Sequence, residues 1–328
     1  MRKLRWGIVG PGKIARKFAR AVNNLPETTL AAVASRDEER GRAFAEEYGI
    51  PTVYGSYEAM AAADTVDAVY IATPHPFHLP CALLYLKAGK HVLCEKPLCV
   101  NAAEAKALKA CAEENGVFLM EAMWTRFLPA VQEAKRLAEE GLIGEIKGMR
   151  ADFCYRLTPE QEPKIFRNDM AGGSLLDVGV YCLHFADLFL GAPKRTEAVS
   201  QLEYGVDSHT VLTLQYENGA IASLSSATTL RKPADGYLFG TEGYLYFPQF
   251  YGAREFTLCT KTEEKHYSFP PIGEGFEEEI LEACRCIEAG RNESDILPLS
   301  KTIEILEQMD GIRAQVGLRY PFDNKDSN

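Results

Sequence analysis

The sequence predicts an α/β architecture: an N-terminal doubly wound parallel sheet, followed by an α+β domain whose sheet is mostly antiparallel. Three observations carry this. Up to about residue 120, apolar strand segments alternate with amphipathic helical ones, as in strands joined by crossover helices. A glycine turn, Gly10-Pro11-Gly12, separates the first strand from the first helix. Beyond residue 130 the pattern changes to longer strands with hairpin turns such as Glu217-Asn218-Gly219. At 328 residues the chain is long enough for two cores, and the expected domains are 1–121 and 122–328.

Residues 4–9 read as a buried strand, and 14–22 carry helical apolar spacing. Gly10 permits the tight turn between them, Gly12 lets the backbone approach a pyrophosphate, and Ala15 is small enough for close helix–strand packing. Pro11, Lys13 and Ile14 complete the loop, where the helix N-terminus offers N–H groups and a positive dipole end to phosphates. This is a dinucleotide-binding Rossmann pattern. The second strand, 30–34, ends in Ser35-Arg36-Asp37. An NAD site usually carries an acid at that end, on the ribose 2′-hydroxyl. Here Ser35 can donate to a 2′-phosphate, and Arg36 can pair with it or stack on adenine. Asp37 falls one position late and is expected in the first turn of the next helix. NADP is therefore favoured over NAD.

Further strands are expected at 51–54, 67–72, 91–94 and 117–120, with helices at 76–88 and 102–115. Two strand ends fall where such a sheet places ligands: Thr73-Pro74-His75-Pro76-Phe77-His78 and Glu95-Lys96-Pro97. A lysine at that point can touch a substrate hydroxyl and the nicotinamide ribose, with its pKa lowered by desolvation and the cationic ring. Taken alone, Lys96 reads as a surface lysine. Pro97 fixes the turn, and its bond can be cis or trans.

In the second half we expect a helix at 130–140, a strand at 145–156, a helix at 173–190 and strands at 209–216, 220–228 and 237–247, the last broken at 240–243. Helices at 276–289 and 300–316 and a polar tail, 323–328, close the chain. In the 173–190 helix Asp177 and Tyr181 are four apart and share a face, with His184 near the same stripe. A carboxylate and a phenol there could grip a polyol and exchange its proton, with Gly179 leaving room for a ligand. The alternative is a core helix in which Tyr181 is a packing residue.

Composition excludes several classes. The net charge of −10 gives no basic field for nucleic acid, so an anionic cofactor depends on local donors such as Lys13 and Arg36. No long apolar segment or secretory signal is evident, which predicts no membrane association and a cytoplasmic location. Nine scattered cysteines read as reduced, mostly buried thiols. No HExxH or histidine cluster suggests a metal.

Together these segments resemble the Gfo/Idh/MocA oxidoreductases, the glucose–fructose oxidoreductase and inositol dehydrogenase family, over nearly the whole length. The resemblance rests on the glycine turn, the segment 72–78, Glu95-Lys96-Pro97 and the Gly-Gly-x-Leu-Leu-Asp-x-Gly-x-Tyr run ending at Tyr181. The chain is most similar to the dimeric dihydrodiol dehydrogenase and NADP-dependent xylose dehydrogenase branch, through Ser35-Arg36, the segment 121–127 and tyrosine at 181 where many relatives have histidine. The resemblance implies Lys96 and Tyr181 as the catalytic pair and Asp177 as the group orienting substrate. Thr73, Pro74, His75, His78, Glu95 and Lys96 would lie along the cofactor. It also implies an open second sheet that forms a homodimer or higher homo-oligomer. His184 falls where many relatives carry aspartate and is left out of the catalytic set.

The expected activity is NADP-dependent hydride transfer from a secondary hydroxyl of a sugar, polyol or cyclic diol lying between the domains. Tyr181 would take the proton with help from Lys96. Trp124, Arg126 and Phe153 are the expected substrate contacts, the two aromatics as walls for an apolar ring face; both also fit plain core. Two other classes stay open: a redox-neutral glycoside hydrolase with tightly bound nicotinamide cofactor, and an NADP-sensing regulator without turnover. Retention of Lys96, Asp177 and Tyr181 argues against the regulator, and net NADPH formation separates the other two.

Overall fold

The computed structural model describes residues 3–270 and 272–323; all but the first residue of the expected polar tail lies outside them. Along the chain run β1 (Leu4–Val9), α1 (Lys13–Asn24), β2 (Thr28–Ala34), α2 (Glu38–Tyr48), β3 (Thr52–Tyr54), α3 (Tyr57–Ala61), β4 (Ala68–Ile71), α4 (His78–Lys87), β5 (His91–Glu95), α5 (Ala102–Asn115), β6 (Leu119–Ala122), α6 (Pro129–Glu139) and β7 (Ile146–Cys154). Then come α7 (Val180–Leu190), β8 (Arg195–Glu203), β9 (Val206–Gln215), β10 (Ile221–Ala227), β11 (Gly236–Gly240), β12 (Gly243–Phe247), β13 (Glu255–Thr260), β14 (Glu264–Ser268), α8 (Glu277–Glu288) and α9 (Leu299–Val316). They form two compact units, 3–124 with 272–303, and 125–270 with 304–323.

The first unit is a six-stranded parallel sheet in the order β3-β2-β1-β4-β5-β6. The order reverses direction between β1 and β4, so their carboxyl ends flank the crevice where such sheets take ligands. Apolar β1 and α1 lock together: the Trp6 ring meets Phe18 edge-on at 5.3 Å, and Phe18 stacks on Tyr70 at 3.8 Å, all fully buried. Helix starts follow the capping chemistry of the sequence. Asn101 caps α5 by accepting from the Glu104 N–H at 3.0 Å, and Gly116 ends it in the left-handed conformation.

The unit boundary differs from the expected one. Residues 272–303, assigned by sequence to the second domain, belong to the first. There α8 packs on α1, the Asn24 amide donates to Glu277 at 3.0 Å, and the Leu119 N–H donates to the Asn292 carbonyl at 3.0 Å. A return crossing of this kind leaves no mark in local periodicity.

The second unit is an eight-stranded sheet ordered β14-β13-β12-β11-β7-β10-β9-β8, antiparallel except for the parallel β7–β10 pair. One face is buried, with Leu212, Leu224, Leu238, Leu245 and Phe256 fully or nearly covered, and Phe185 of α7 packs among Phe247 and Phe250. The alternate positions point the other way and leave Val199, Val211, Ile221, Phe239 and Tyr244 exposed.

The expected 173–190 helix is not uniform. It opens with a wide turn, Leu175–Gly179, in which the Val180 N–H reaches back to the Leu175 carbonyl, and only then becomes α7. The stretch Asn168–Leu190 is also long and apolar enough to span a membrane by length and composition, which corrects the expectation of no such segment. Of its most apolar window 78% is buried inside the unit, as in the core helix of a folded domain. All nine cysteines are free thiols, eight of them buried.

Candidate active site

The glycine turn is built as a phosphate cradle. Gly10 has φ +87°, and a Cβ there would press on the Thr73 methyl at 3.3 Å and the Ala72 carbonyl at 3.4 Å. Gly12 begins α1 with no side-chain cap and no acid in the first turn, so the helix start is open to an anion in the way a dinucleotide pyrophosphate requires. Ala15 is fully buried against the sheet.

At the end of β2, Ser35 is buried and its Oγ accepts from the Asp37 N–H at 3.2 Å. Asp37 is the N-cap of α2 rather than part of its first turn, accepting from the Arg40 N–H at 3.0 Å. Arg36 is exposed, with its guanidinium 5.6 Å from the centre of the Phe77 ring. A serine and an arginine, not an acid, thus stand at the end of β2.

The two other strand ends are clamped together. The buried His78 ring bridges them: Nε2 lies 2.8 Å from the Thr73 carbonyl and Nδ1 2.9 Å from the Pro97 carbonyl. Burial pushes its pKa down, and a neutral ring donates to one of these carbonyls. Glu95 also turns inward, accepting from the Tyr70 hydroxyl and, at 3.2 Å, from the Lys96 N–H. Glu121 accepts from the Leu98 N–H at 3.0 Å and from the Thr302 hydroxyl at 2.9 Å. The turn between is Lys96-Pro97, with a cis peptide bond, and Lys96 is half-buried on it. Two expectations change. His78 and Glu95, placed by sequence along the cofactor, have their polar groups engaged in the protein interior, where they hold the Lys96 turn; Thr73, Pro74 and His75 remain half-buried at the strand end.

The second unit gathers the other site residues around the wide turn. Asp177 is half-buried and accepts from the Tyr155 hydroxyl. Tyr181, 8% exposed, meets the Phe153 ring at 5.4 Å, and Phe153 stacks on Tyr251 at 4.1 Å. The Tyr251 carbonyl accepts from the Thr125 hydroxyl, which ties this aromatic group to the chain before α6. Burial and the adjoining Asp177 push the Tyr155 phenol far up, so it stays a donor. Beneath the turn, Asp207 Oδ2 accepts from the Ser174 hydroxyl at 2.7 Å, the Leu175 N–H at 2.7 Å and the Thr210 hydroxyl at 2.9 Å. Burial nonetheless raises the Asp207 pKa from 3.8 to about 6. Gly179 does not open a space for ligand: a Cβ there would meet Ser226 Oγ at 3.0 Å and Leu175 at 3.1 Å, so its smallness seats the turn on β10.

Sequence reasoning missed Tyr155 and Asp207. Tyr155 had a signal, since Phe153 and Tyr155 alternate onto one side of an extended segment. Asp207 had none, because its role depends on a contact between positions far apart in the chain.

Arg126 departs from its expected substrate role. It is 5% exposed and turned into the second unit, paired with Asp187 at 2.9 Å and 3.4 Å from Nδ1 of His184. Its charge is engaged in holding α7 to the segment before α6, and His184 is part of that same buried group. Trp124 lies in the first unit, half-buried, with its ring 5.2 Å from Phe276.

A dinucleotide cradle and an acid–phenol group in one chain define a nicotinamide-dependent oxidoreductase. Residues 4–123 match the oxidoreductase family with an NAD-binding Rossmann fold, and 131–246 match the GFO/IDH/MocA C-terminal domain. The chain belongs to the Gfo/Idh/MocA family. It is 37% identical to the mouse trans-1,2-dihydrobenzene-1,2-diol dehydrogenase, covering 98% of this chain and 99% of that one. Among solved structures it is similar to a 3-ketoreductase from Actinomadura kijaniata in complex with NADP and TDP-benzene, with a TM-score of 0.87, 28% identity and coverage of 96% and 98%. An aldose–aldose oxidoreductase from Caulobacter crescentus, complexed with glycerol, gives a TM-score of 0.88 at 25% identity with the same coverage.

Proposed function

We propose that this protein is an NADP-dependent dehydrogenase for a secondary hydroxyl of a cyclic diol, sugar or polyol. The observation that carries the reading is the Asp177–Tyr181 group set against the Phe153 and Tyr251 rings: hydroxyl-binding side chains beside an apolar wall. The names of the relatives support the same substrate range. NADP supplies a ring that accepts hydride. Lys13 and the open start of α1 would hold its pyrophosphate, with Ser35 and Arg36 at the 2′-phosphate. Lys96 would donate a hydrogen bond to the reacting hydroxyl, Tyr181 in its phenolate form would take the hydroxyl proton and become the phenol, and Asp177 would accept from a neighbouring hydroxyl. Trp124 in the first unit and Phe153 in the second each offer an aromatic face on which an apolar ring can pack; Arg126 is left to its ion pair.

We also assign the exposed sheet face, with Val199, Val211, Ile221, Phe239 and Tyr244, to a subunit interface between two copies of this chain. Free, buried thiols support a reducing compartment, the cytoplasm.

The test is a screen of trans-1,2-dihydrobenzene-1,2-diol, D-xylose, glucose and inositol with NADP, followed by NADPH absorbance. Tyr181→Phe should lower turnover about a hundredfold or more with little change in Tm. Retained activity with a stability loss of about 1 kcal/mol would make Tyr181 a core residue. Sugar turnover without net NADPH would favour the redox-neutral hydrolase.

A further inference from the structure

Asp177 is anchored from outside the segment that carries it. It lies on the wide turn Leu175–Gly179, whereas Tyr155 follows the end of β7, and the Tyr155 hydroxyl donates to Asp177 Oδ2. Tyr155 is half-buried, and its ring stands edge-on to Phe153, 6.2 Å away, which in turn meets Tyr181. The phenol donates to Asp177, and burial, that carboxylate and the charges of Glu162 and Tyr181 all push its pKa up. In that surrounding it remains protonated, and its one proton is directed at the carboxylate.

We propose that Tyr155 is a positioning residue: its hydroxyl fixes the carboxylate of Asp177 in orientation and keeps it ionised for a substrate hydroxyl. This rests on the substrate role assigned to Asp177 above. A carboxylate on a two-oxygen pivot can rotate, and one that loses a donor binds its proton more tightly. A donor fixed on one oxygen sets the plane of the carboxylate. The arrangement differs from ordinary aromatic packing, in which the hydroxyl would serve stability alone.

Tyr155→Phe removes only the oxygen. We expect kcat/KM for trans-1,2-dihydrobenzene-1,2-diol to fall tenfold or more, mainly through KM, and the acid limb of its pH profile to move up. In an Asp177→Asn background the same change should have less than a threefold effect, because the bond it removes is already altered. An NMR titration of 13Cγ-labelled aspartate, assigned with Asp177→Asn, reads the Asp177 carboxylate with no turnover needed, and should show a higher midpoint in the Phe variant. An unchanged midpoint overturns the proposal, as does an unchanged kcat/KM. If Tyr155→Phe lowers Tm sharply, the titration at low temperature still decides. A wild-type enzyme inert to every diol and sugar, with the midpoint shift present, would instead overturn the functional reading and leave the Tyr155–Asp177 coupling intact.

Discussion

Nδ1 of His78 stands 2.9 Å from the carbonyl oxygen of Pro97, so a fully buried imidazole holds the far side of the turn that presents Lys96. The same ring reaches the Thr73 carbonyl, and two strand ends are fixed through one side chain. His78→Ala should cost about 2–4 kcal/mol, because it opens a cavity and leaves one buried carbonyl without its donor. Urea unfolding measures the loss, and turnover should drop with it. Wild-type stability in this variant would return His78 to the cofactor role that sequence suggested.

Lys96→Met should reduce turnover by a factor of about a hundred to ten thousand while NADPH binding, followed by fluorescence titration, changes little. Undiminished turnover would restore the reading of Lys96 as a surface lysine.

Arg36→Gln should raise the KM for NADP about tenfold or more and leave that for NAD nearly unchanged, since a charge-assisted phosphate contact is worth roughly 1.5–3 kcal/mol. A wild-type enzyme that prefers NAD at equal concentration would refute this assignment.

Arg126→Met should act on stability rather than on KM. Its partner Asp187 is as buried as it is, with 7% and 8% of the two side chains exposed, and breaking such a pair costs about 3–5 kcal/mol. Replacing both residues with apolar ones should recover much of the loss. A KM effect at unchanged Tm would reinstate Arg126 as a substrate contact.

Asp207 makes stability depend on pH with a definite sign. Its folded pKa of about 6 lies above the ordinary 3.8, so the folded state holds the proton over that window. Stability therefore falls as pH rises from about 4 to 6, and above 6 the full penalty, up to about 3 kcal/mol, is present. Asp207→Asn carries no such term. The difference in unfolding free energy between variant and wild type, taken at pH 4.5 and pH 7.5, should shift in favour of the variant at the higher pH. A difference independent of pH would contradict the raised value.

The parallel sheet, its phosphate turn and most second-unit strands were legible because each is a local pattern: period-two or helical spacing bounded by glycine or asparagine. Lys96 and Tyr181 could be singled out for their place beside such patterns. What escaped was set by distant contacts. β8 reads Arg195-Thr-Glu-Ala-Val-Ser-Gln-Leu-Glu, too polar to announce a strand, and exists because β9 pairs along it. The burial of Arg126 required Asp187, and that of His78 required two carbonyls from different strand ends. Asp37 was placed within one residue, since capping and first-turn acids obey neighbouring rules.

The wide turn at Leu175–Gly179 makes residue count as constrained as residue identity. Deleting one residue there would close it to ordinary helical pitch and swing Asp177 about 100° around the axis relative to α7, away from the Tyr155 hydroxyl. Substitutions at Leu176 or Val178 change only packing. A gap or an insertion between 175 and 179 would uncouple the acid from the phenol while leaving both in the chain, so in related sequences this segment should hold its length as strictly as it holds Asp177 and Gly179.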